Sequence, residues 1–442
     1  MATDCNKKIR LFIASPLIYP PRGGAELRFW RYLPGLQQKN IQITIVSGTP
    51  KAKKITTADR QSAWYKYKPG ETIPVGFING FKVHQIRLTD NSRWQRTSLF
   101  FRALVTLCQN SSNRPDVIQL LTPLPYESLP WLIRLKHLGV SLVYSITLAP
   151  QQTSGVLEWL KKQTLTRLLY AQLDGLIVSS DVILRIAAQM ISQDRLIKIA
   201  NGVDLQKFRP ITATAKMQLK KSMGFELKDE IILNVGAIHP RKRPELLLEA
   251  WKTIARHRPK AILLLVGPRH DLNNPSLKSY SKQLRGLIEN SGAADRIHLT
   301  GAVKNIENYY NIADIFAFTS QKEGMPNAVL EAMASGLPVI LTPFIGLSRD
   351  FGQKDVHYLI AKPEAHFLAQ QIVALLDDKQ KAGRLAESAR ELTERTLDLD
   401  VIIDRYATLY HLLAKQQNTP TNLAAAFNEI SSHVTSHRTA AF

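Results

Sequence analysis

The sequence predicts an α/β protein built from two doubly wound parallel sheets. Short apolar runs of strand length alternate with amphipathic stretches of helix length along most of the chain. The length of 442 residues exceeds what one hydrophobic core usually supports. A turn-rich segment at 201–210 interrupts the alternation near the middle of the chain. We therefore expect one sheet on either side of that segment.

The first domain is expected over residues 1–205. An apolar run at 9–14 predicts its first strand, followed by a glycine-containing loop, an amphipathic helix at 25–38 and a strand at 41–46. This order is typical of a Rossmann-like opening. Because the runs are apolar on both faces, we expect parallel strands covered by helices on both sides. Further strands are predicted at 81–87, 116–121, 141–146, 176–180 and 196–199, with helices at 92–109, 126–136, 156–171 and 181–189.

The loop after the first strand contains Gly23 and Gly24 but lacks the full G-x-G-x-x-G pattern. Two glycines at this point let the backbone approach a phosphate, and they equally permit a simple turn. Both interpretations stay open. Gly23 and Gly24 are the candidate phosphate-loop residues of the first domain.

Two other segments of this half are distinctive. The segment 49–80 is long, polar and basic, with turn signals at Pro69-Gly70 and Asn79-Gly80, which predicts an irregular excursion over the site or a mobile loop. The predicted helix at 92–109 mixes arginines with aromatic residues. Such a helix can lie on an anionic membrane surface or pack its apolar stripe on a sheet.

The second domain is expected over 206–395. Its strands are predicted at 231–235, 261–266, 297–299, 315–318 and 338–341, and the helix at 244–257 follows a loop at 236–243. Residues 396–417 predict a C-terminal helix that packs back on the first domain. Residues 418–442 are rich in Ala, Thr, Ser and Asn and predict a flexible tail.

The charge is strongly positive and unevenly distributed. The net charge is +22, and residues 1–200 contain 27 Lys and Arg against 11 Asp and Glu. A basic N-terminal half implies an anionic partner, such as acidic lipid, an anionic acceptor or nucleic acid, and the alternative is that the charge serves only solubility. Nucleic acid is not expected, because the sequence has no recognition motif for it.

Cysteine content and hydropathy bear on the compartment. Cys5 and Cys108 make neither a disulfide framework nor a metal cluster, which suits a reducing environment. No run approaches the ~20 apolar residues that span a bilayer. The first eight residues are polar and show no secretory pattern. We expect a cytoplasmic protein, peripheral at the inner face of the cell membrane if it binds there.

The strongest functional signal lies between Glu323 and Glu331. The apolar run at 315–318 predicts a buried strand, and a short loop leads from it into a helix that begins near Pro326 and Asn327. The first amides of such a helix can bind a phosphate. Ionised carboxylates accept hydrogen bonds from sugar hydroxyls. A phosphate site flanked by two such acceptors suits a nucleotide sugar.

This segment and three others, in order, resemble the retaining family-4 glycosyltransferases. The matching stretches are Asn201-Gly-Val-Asp204, Val235-Gly236 with Lys242, Thr300-Gly-Ala-Val303 ahead of Tyr309-Tyr310, and Glu323 to Pro338. The resemblance is strong over about 196–345 and looser over 9–195. It implies the GT-B architecture, in which two Rossmann-like domains face each other across a cleft.

The resemblance also implies roles for single residues. Glu331 is similar to the acceptor for the ribose hydroxyls of the donor, and Glu323 to a residue at the transferred sugar. Lys242 and Gly236 are similar to the phosphate-binding loop, with Arg241 as a further cation. Gly267 and Val303 are similar to neighbours of the nucleobase. The remaining implied donor-binding residues are Gly324, Met325, Pro326, Asn327, Ala328 and Val329. At the start of the helix, the N–H groups of Asn327, Ala328 and Val329 are expected to be free.

The sequence departs from the family pattern at two points. Ala237 stands where the family usually has Arg after the glycine of the phosphate loop, and Arg241 or Arg243 could supply that charge. Many members have a His just past the strand that ends here at Ile146, where this chain has Thr147 and Leu148. We therefore assign no catalytic histidine.

The resemblance implies a glycosyltransferase that moves a hexosyl group from a nucleoside-diphosphate sugar to an acceptor hydroxyl with retained anomeric configuration. The co-substrate is expected to carry UDP or GDP, without metal or other cofactor. The acceptor is expected to be a saccharide or a lipid-linked saccharide. The alternative is a GT-B scaffold of weak or lost activity that serves as a binding module.

Overall fold

The computed structural model describes residues 8–19, 24–49, 67–89, 92–112, 114–121, 124–146, 164–268, 275–415 and 422–439. The chain divides into two compact units, Met1–Ile199 with Asp400–Phe442, and Ala200–Leu399. The first boundary precedes the turn-rich segment, because Val203 belongs to the second unit. The Val203 N–H donates a hydrogen bond to Leu397 O, and Val203 O accepts one from the Leu399 N–H.

The first unit contains a mostly parallel sheet. Its described strands have the order β3-β4-β2-β1-β5-β6-β7-β8, with β3 antiparallel to β4 and the other pairs parallel. The strands are β1 Ile9–Ser15, β2 Ile41–Gly48, β3 Thr72–Ile78, β4 Phe81–Ile86, β5 Val117–Leu120, β6 Ser141–Ile146, β7 Gly175–Val178 and β8 Leu196–Lys198. The described helices are α1 Gly24–Gln38, α2 Arg93–Gln109, α3 Leu129–His137, α4 164–170, α5 Asp181–Ala187, and the C-terminal α13 Leu399–Lys415 and α14 Leu423–Thr439.

Helix α2 buries an apolar stripe against this sheet. Phe100, Phe101 and Leu104 are almost fully buried, as sheet packing requires. Trp94, near the start of the helix, is 58% exposed, so part of the helix still faces solvent.

Strand β3 corrects the expectation of an irregular segment over all of 49–80. It forms a hairpin with β4 through Asn79 and Gly80, which both have positive φ, at 50° and 82°. This is the conformation of a two-residue hairpin turn, for which Asn-Gly is the preferred pair. Residues 50–66 lie outside the described part of the chain.

The C-terminal residues also differ from expectation. Where the sequence predicts a flexible tail, α14 begins at Leu423, and Leu423 and Phe427 are each 2% exposed. The four-residue spacing places both on one face of a helix, which buries them. Helix α13 also packs in the first unit, where the Tyr410 hydroxyl donates to Gln119 Oε1 at 3.1 Å.

The second unit contains a fully parallel sheet of order β11-β10-β9-β12-β13-β14 among its described residues. This is the doubly wound order of a Rossmann fold, whose ligands bind at the carboxyl ends of the strands. The strands are β9 Glu230–Val235, β10 Ala261–Val266, β11 Ile297–Gly301, β12 Ile315–Phe318, β13 Val339–Leu341 and β14 Leu359–Ile360. The described helices are α6 Ala213–Ser222, α7 Pro244–His257, α8 Pro275–Glu289, α9 Ile306–Ile312, α10 Asn327–Ala334, α11 Ala365–Asp377 and α12 Lys379–Thr396.

Candidate donor site in the second unit

The predicted site residues of this unit gather at the carboxyl ends of neighbouring strands. Gly236 follows β9, and its N–H donates to Val266 O at 2.9 Å. Gly267 follows β10, and its N–H donates to Gly301 O at 2.9 Å. Val303 lies half-buried two residues beyond Gly301. Three adjacent strand ends thus hold the loops of the candidate site together.

Gly267 occupies a position that a side chain could not share. Its φ is 153°, and a Cβ added there would lie 2.0 Å from Gly236 O. The close approach of the two loops therefore depends on this glycine.

The turn Pro240–Lys242, which carries the two predicted cations, is fixed by the loop after β12. The Gln321 N–H donates to Arg241 O at 2.9 Å. The Thr319 hydroxyl lies 3.0 Å from Lys242 O and 2.8 Å from Arg243 O. Hydrogen bonds from a buried loop to the turn's carbonyls fix the direction in which both cations leave the backbone.

Glu323 is the carboxylate around which these cations assemble. Its Oε1 accepts from Arg241 Nη1 at 2.6 Å and from the Ser320 hydroxyl at 2.6 Å, and it lies 2.8 Å from Lys242 Nζ. The residue is 7% exposed. Among the described residues, no hydrogen bond is formed to its other oxygen, Oε2. That oxygen is available to a hydroxyl donor.

The local charge balance favours an anion. Arg241 and Lys242 share the single negative charge of Glu323, which leaves one positive charge in excess in this cluster. Burial lowers the pKa of the Lys242 amine below its ordinary value, although Glu323 opposes that shift. A bound diphosphate would supply the missing negative charge.

The helix α10 begins beside this cluster. Pro326 immediately precedes it, and the Asn327 and Ala328 amides have no acceptor among the described residues. The Val329 N–H donates to Pro326 O at 3.1 Å, so the expectation of a free amide is wrong for Val329. A first turn of 3₁₀ type uses that donor internally. The two remaining amides can bind an anion.

Asn201 holds the segment that leads into this helix. Its Nδ2 donates to Met325 O at 2.6 Å and to Asn327 Oδ1 at 2.9 Å. Met325 and Asn201 are both buried. The start of α10 is therefore tied to the first residues of its own unit.

Glu331 lies within α10 and is 6% exposed. The Tyr310 hydroxyl donates to its Oε2 at 2.9 Å. A buried carboxylate is stable when it accepts hydrogen bonds from such donors.

Gly346, in the loop after β13, packs against the backbone of Glu323. The Glu323 N–H donates to Ile345 O at 2.9 Å, and the Ile345 N–H donates to Gln321 O at 2.8 Å. Gly346 has φ of 106°, and an added Cβ would lie 1.9 Å from Glu323 O. The loop after β13 therefore packs directly on the backbone of Glu323.

Other predicted residues lie elsewhere. Gly24 is the first residue of α1 in the first unit, and Gly23, Thr147 and Leu148 lie outside the described residues. Arg243 does not join Glu323; its Nε lies 4.0 Å from Glu245. Of the two candidates for the charge absent at Ala237, Arg241 is the one beside Glu323.

Sequence reasoning did not single out Ser320, Asn201, Tyr310 or Gly346 for these contacts. The three-residue spacing of Ser320 and Glu323 is a signal that could have identified the first. The other three act across long sequence separations, which no local pattern encodes.

No group of three or more His, Cys, Asp or Glu side chains in the described ranges is arranged to hold a metal ion. The tripeptide Asp398-Leu399-Asp400 has the Asp-x-Asp spacing but belongs to no such group. Within the part of the chain described by the structure, no helix combines the length and the apolar character needed to cross a bilayer.

Parts of the chain are similar to known proteins. Residues 216–392 match the family model described as Glycosyl transferases group 1. N-acetyl-alpha-D-glucosaminyl L-malate synthase of Bacillus anthracis is 27% identical over 194 residues, which are 44% of this chain and 48% of the relative. The UDP-Gal:alpha-D-GlcNAc-diphosphoundecaprenol alpha-1,3-galactosyltransferase of Escherichia coli is 32% identical over 184 residues, 41% and 45% of the two chains. The chain thus spans about half the length of these curated relatives.

Similarity to solved structures extends further along the chain. The crystal structure of Anabaena Alr3699/HepE in complex with UDP matches with a TM-score of 0.66 at 19% identity. The match covers 90% of this chain and 98% of the Anabaena chain. Two parallel-sheet units in one chain are the fold of GT-B glycosyltransferases. Residues 216–392 thus match a glycosyl transferases group 1 domain, within a chain that has the GT-B fold.

Proposed function

We propose that the protein transfers a hexosyl group from a nucleoside-diphosphate sugar to an acceptor hydroxyl, with retention of the anomeric configuration. The observation that carries the proposal is the state of Glu323. One of its oxygens is held by Arg241, Lys242 and Ser320, and the other accepts no hydrogen bond from the described residues. The carboxylate is thus fixed in place, buried, and ready to accept from a sugar hydroxyl.

The cations beside Glu323 support a diphosphate as the leaving group. The cluster carries one excess positive charge, and the Asn327 and Ala328 amides add the positive end of a helix. Fixed donors aimed at developing negative charge are a large source of rate enhancement. Arg241 is the proposed replacement for the arginine absent at Ala237.

The proposed reaction breaks the bond between the anomeric carbon and the leaving phosphate oxygen. The acceptor oxygen bonds to the same face of that carbon, and its proton passes to the departing diphosphate. No metal ion is required in this scheme, because Lys242, Arg241 and the helix amides stabilise the diphosphate. Glu323 orients the sugar and is not assigned the role of a nucleophile.

The donor is proposed to carry UDP or GDP. The solved Anabaena structure named above contains UDP, and the relative from Escherichia coli is named for UDP-Gal. Glu331 is proposed to accept from the ribose hydroxyls, and Gly267 and Val303 to line the base. Gly236, Gly324, Met325 and Pro326 contribute backbone around the donor.

The acceptor is proposed to be a saccharide or a lipid-linked saccharide bound by the first unit at an anionic membrane surface. The N-terminal half carries a large excess of Lys and Arg, and Trp94 is exposed on α2. Basic and aromatic side chains together favour binding to anionic lipid. Liposome flotation tests this part of the proposal. We expect the protein to bind anionic vesicles and not neutral ones. Failure to bind either kind of vesicle would overturn this part.

Thermal-shift measurements across UDP-, GDP-, ADP- and TDP-sugars, followed by a donor-hydrolysis assay, test the activity. Lys242→Ala and Glu331→Ala should each reduce turnover by more than roughly tenfold, because each removes a charged partner of the donor. Exposed Lys252 on α7 offers Lys252→Ala as a matched control with normal turnover. Near-normal rates in both site variants would refute the assignment.

The second candidate is a GT-B scaffold that binds a partner without catalysis. The observation that favours it is Ala237, which leaves the loop after β9 without a cation at that position. This candidate predicts no hydrolysis of any donor, whether or not nucleotides shift the melting temperature. Measurable turnover by the unmodified protein would exclude it.

A further inference from the structure

We infer that Tyr310 is a positioning residue for the donor's ribose, acting through Glu331. This inference rests on the proposed function, in which Glu331 accepts from the ribose hydroxyls. Tyr310 lies on α9 and is 0% exposed, so it cannot itself touch a ligand. Its effect on binding must pass through the carboxylate that it contacts.

The contact is specific. The Tyr310 hydroxyl lies 2.9 Å from Glu331 Oε2 and 3.2 Å from Ala328 O. A phenol has one proton, so it donates to one of these acceptors at a time. An ionised carboxylate is the stronger acceptor and is also at the shorter distance. The hydroxyl therefore serves Glu331 and restricts rotation of its carboxylate.

The ring of Tyr310 is itself held rigidly. It makes an edge contact with Phe208 at 5.6 Å between ring centroids and a tilted contact with Phe316 at 5.8 Å. Phe316 belongs to β12, the strand that leads into the Glu323 loop. Because the ring is packed, the Tyr310 hydroxyl has a fixed position and holds the Glu331 carboxylate in one orientation, which a mobile donor would not do.

A carboxylate held in one orientation offers its remaining lone pairs in a defined direction. Two vicinal ribose hydroxyls need such an orientation to donate simultaneously. Without the Tyr310 hydroxyl, Glu331 stays buried but loses one hydrogen bond and is freer to rotate. We therefore expect selectivity for ribose over deoxyribose to depend on Tyr310.

Calorimetric titration of the full chain with UDP and with 2′,3′-dideoxy-UDP tests the inference. Tyr310→Phe should weaken UDP binding by roughly five- to tenfold, the effect of one lost hydrogen bond. The same variant should bind the dideoxy nucleotide as the unmodified protein does. Tyr309→Phe, on the same helix and half-buried, is the matched control and should bind both nucleotides normally.

Equal weakening for both nucleotides would overturn the inference, because it would indicate a general packing defect. Unchanged UDP binding would overturn it as well. A second background guards against a folding defect. In Glu331→Ala no side-chain acceptor remains for the Tyr310 hydroxyl to position, so the added Tyr310→Phe change should no longer alter the ratio of the two affinities, and a further fall in that ratio would contradict the inference. If the unmodified protein binds no nucleoside diphosphate, the proposed donor site itself fails, which the titration of that protein alone reveals.

Discussion

Lys242 Nζ lies 2.8 Å from Glu323 Oε1, and both side chains are largely buried. The ammonium also lies 5.2 Å from the centre of the Phe318 ring, whose face stabilises a cation. In the proposed scheme, the cation that would hold the diphosphate is paired with the carboxylate that would hold the sugar, so donor binding would redistribute this charge.

The first prediction concerns Glu323→Gln. Removing the carboxylate's charge frees Arg241 and Lys242 for phosphate, so the affinity for UDP should rise by roughly three- to tenfold. Turnover should fall by more than roughly tenfold, because the amide is a weaker acceptor for the sugar hydroxyl. Calorimetry with UDP and a transfer assay measure the two effects. Glu391→Gln, at an exposed position of α12, is the control; parallel loss of affinity and turnover would contradict the prediction.

The second prediction follows from the lowered pKa of Lys242. The amine loses its proton at a lower pH than an exposed lysine, so kcat/KM for the donor should fall as pH rises through that lowered pKa. In the window between the lowered and ordinary pKa, the unfolded chain binds more protons than the folded chain. The free energy of unfolding should therefore rise with pH across this window.

Lys242→Arg keeps the positive charge at this position and removes its titration in the accessible pH range. The guanidinium keeps its charge at all accessible pH values, so the alkaline fall in kcat/KM should move to higher pH. Lys252→Arg, on exposed helix surface, should leave the profile in place. If Lys242→Arg leaves the alkaline fall in kcat/KM at the same pH, that fall is caused by another titrating group.

The sequence predicts the positions of the strands better than the contacts made at their ends. The run at 315–318 is apolar throughout and predicts β12 because buried parallel strands have that pattern. The loop after it predicts a site because parallel sheets place loops at one edge. The partnership of Arg241 with Glu323 joins residues 82 positions apart, and only the three-dimensional fold creates it.

The same limit explains Gly346. A glycine in the segment 343–348 indicates a turn, and no local pattern shows that a side chain at this position would collide with Glu323 O. Tyr310 is similar: no local pattern predicts its hydrogen bond to Glu331, which depends on how α9 and α10 lie beside each other.

The third prediction concerns Gly346→Ala. The residue's φ of 106° disfavours a side chain, and the new Cβ would meet Glu323 O at 1.9 Å. We expect a destabilisation of about 1–3 kcal/mol from backbone strain. We also expect lower turnover at temperatures where the variant is fully folded, because Glu323 is displaced. Gly383→Ala on α12 is the control, since nothing lies within 4 Å of its added Cβ, and it should stabilise slightly.

Denaturant unfolding and a transfer assay at low temperature separate the two effects of Gly346→Ala. A variant that is destabilised but fully active when folded would show that the packing of Gly346 on Glu323 stabilises the fold without positioning the site. Normal stability would show instead that the loop relaxes around the added methyl group.

The fourth prediction concerns the turn that carries both cations. The Arg241 N–H donates to His239 Nδ1 at 3.1 Å, so the imidazole caps the turn Pro240–Lys242. A backbone N–H is always the donor, which requires Nδ1 to be unprotonated. His239→Ala should raise KM for the donor by roughly fivefold, the effect of losing one cap. His239→Asn should restore it, because an Asn side chain accepts from the N–H two residues on. Steady-state kinetics with His257→Asn as the control measures this; equal defects in the Ala and Asn variants would show that the imidazole acts by something other than capping.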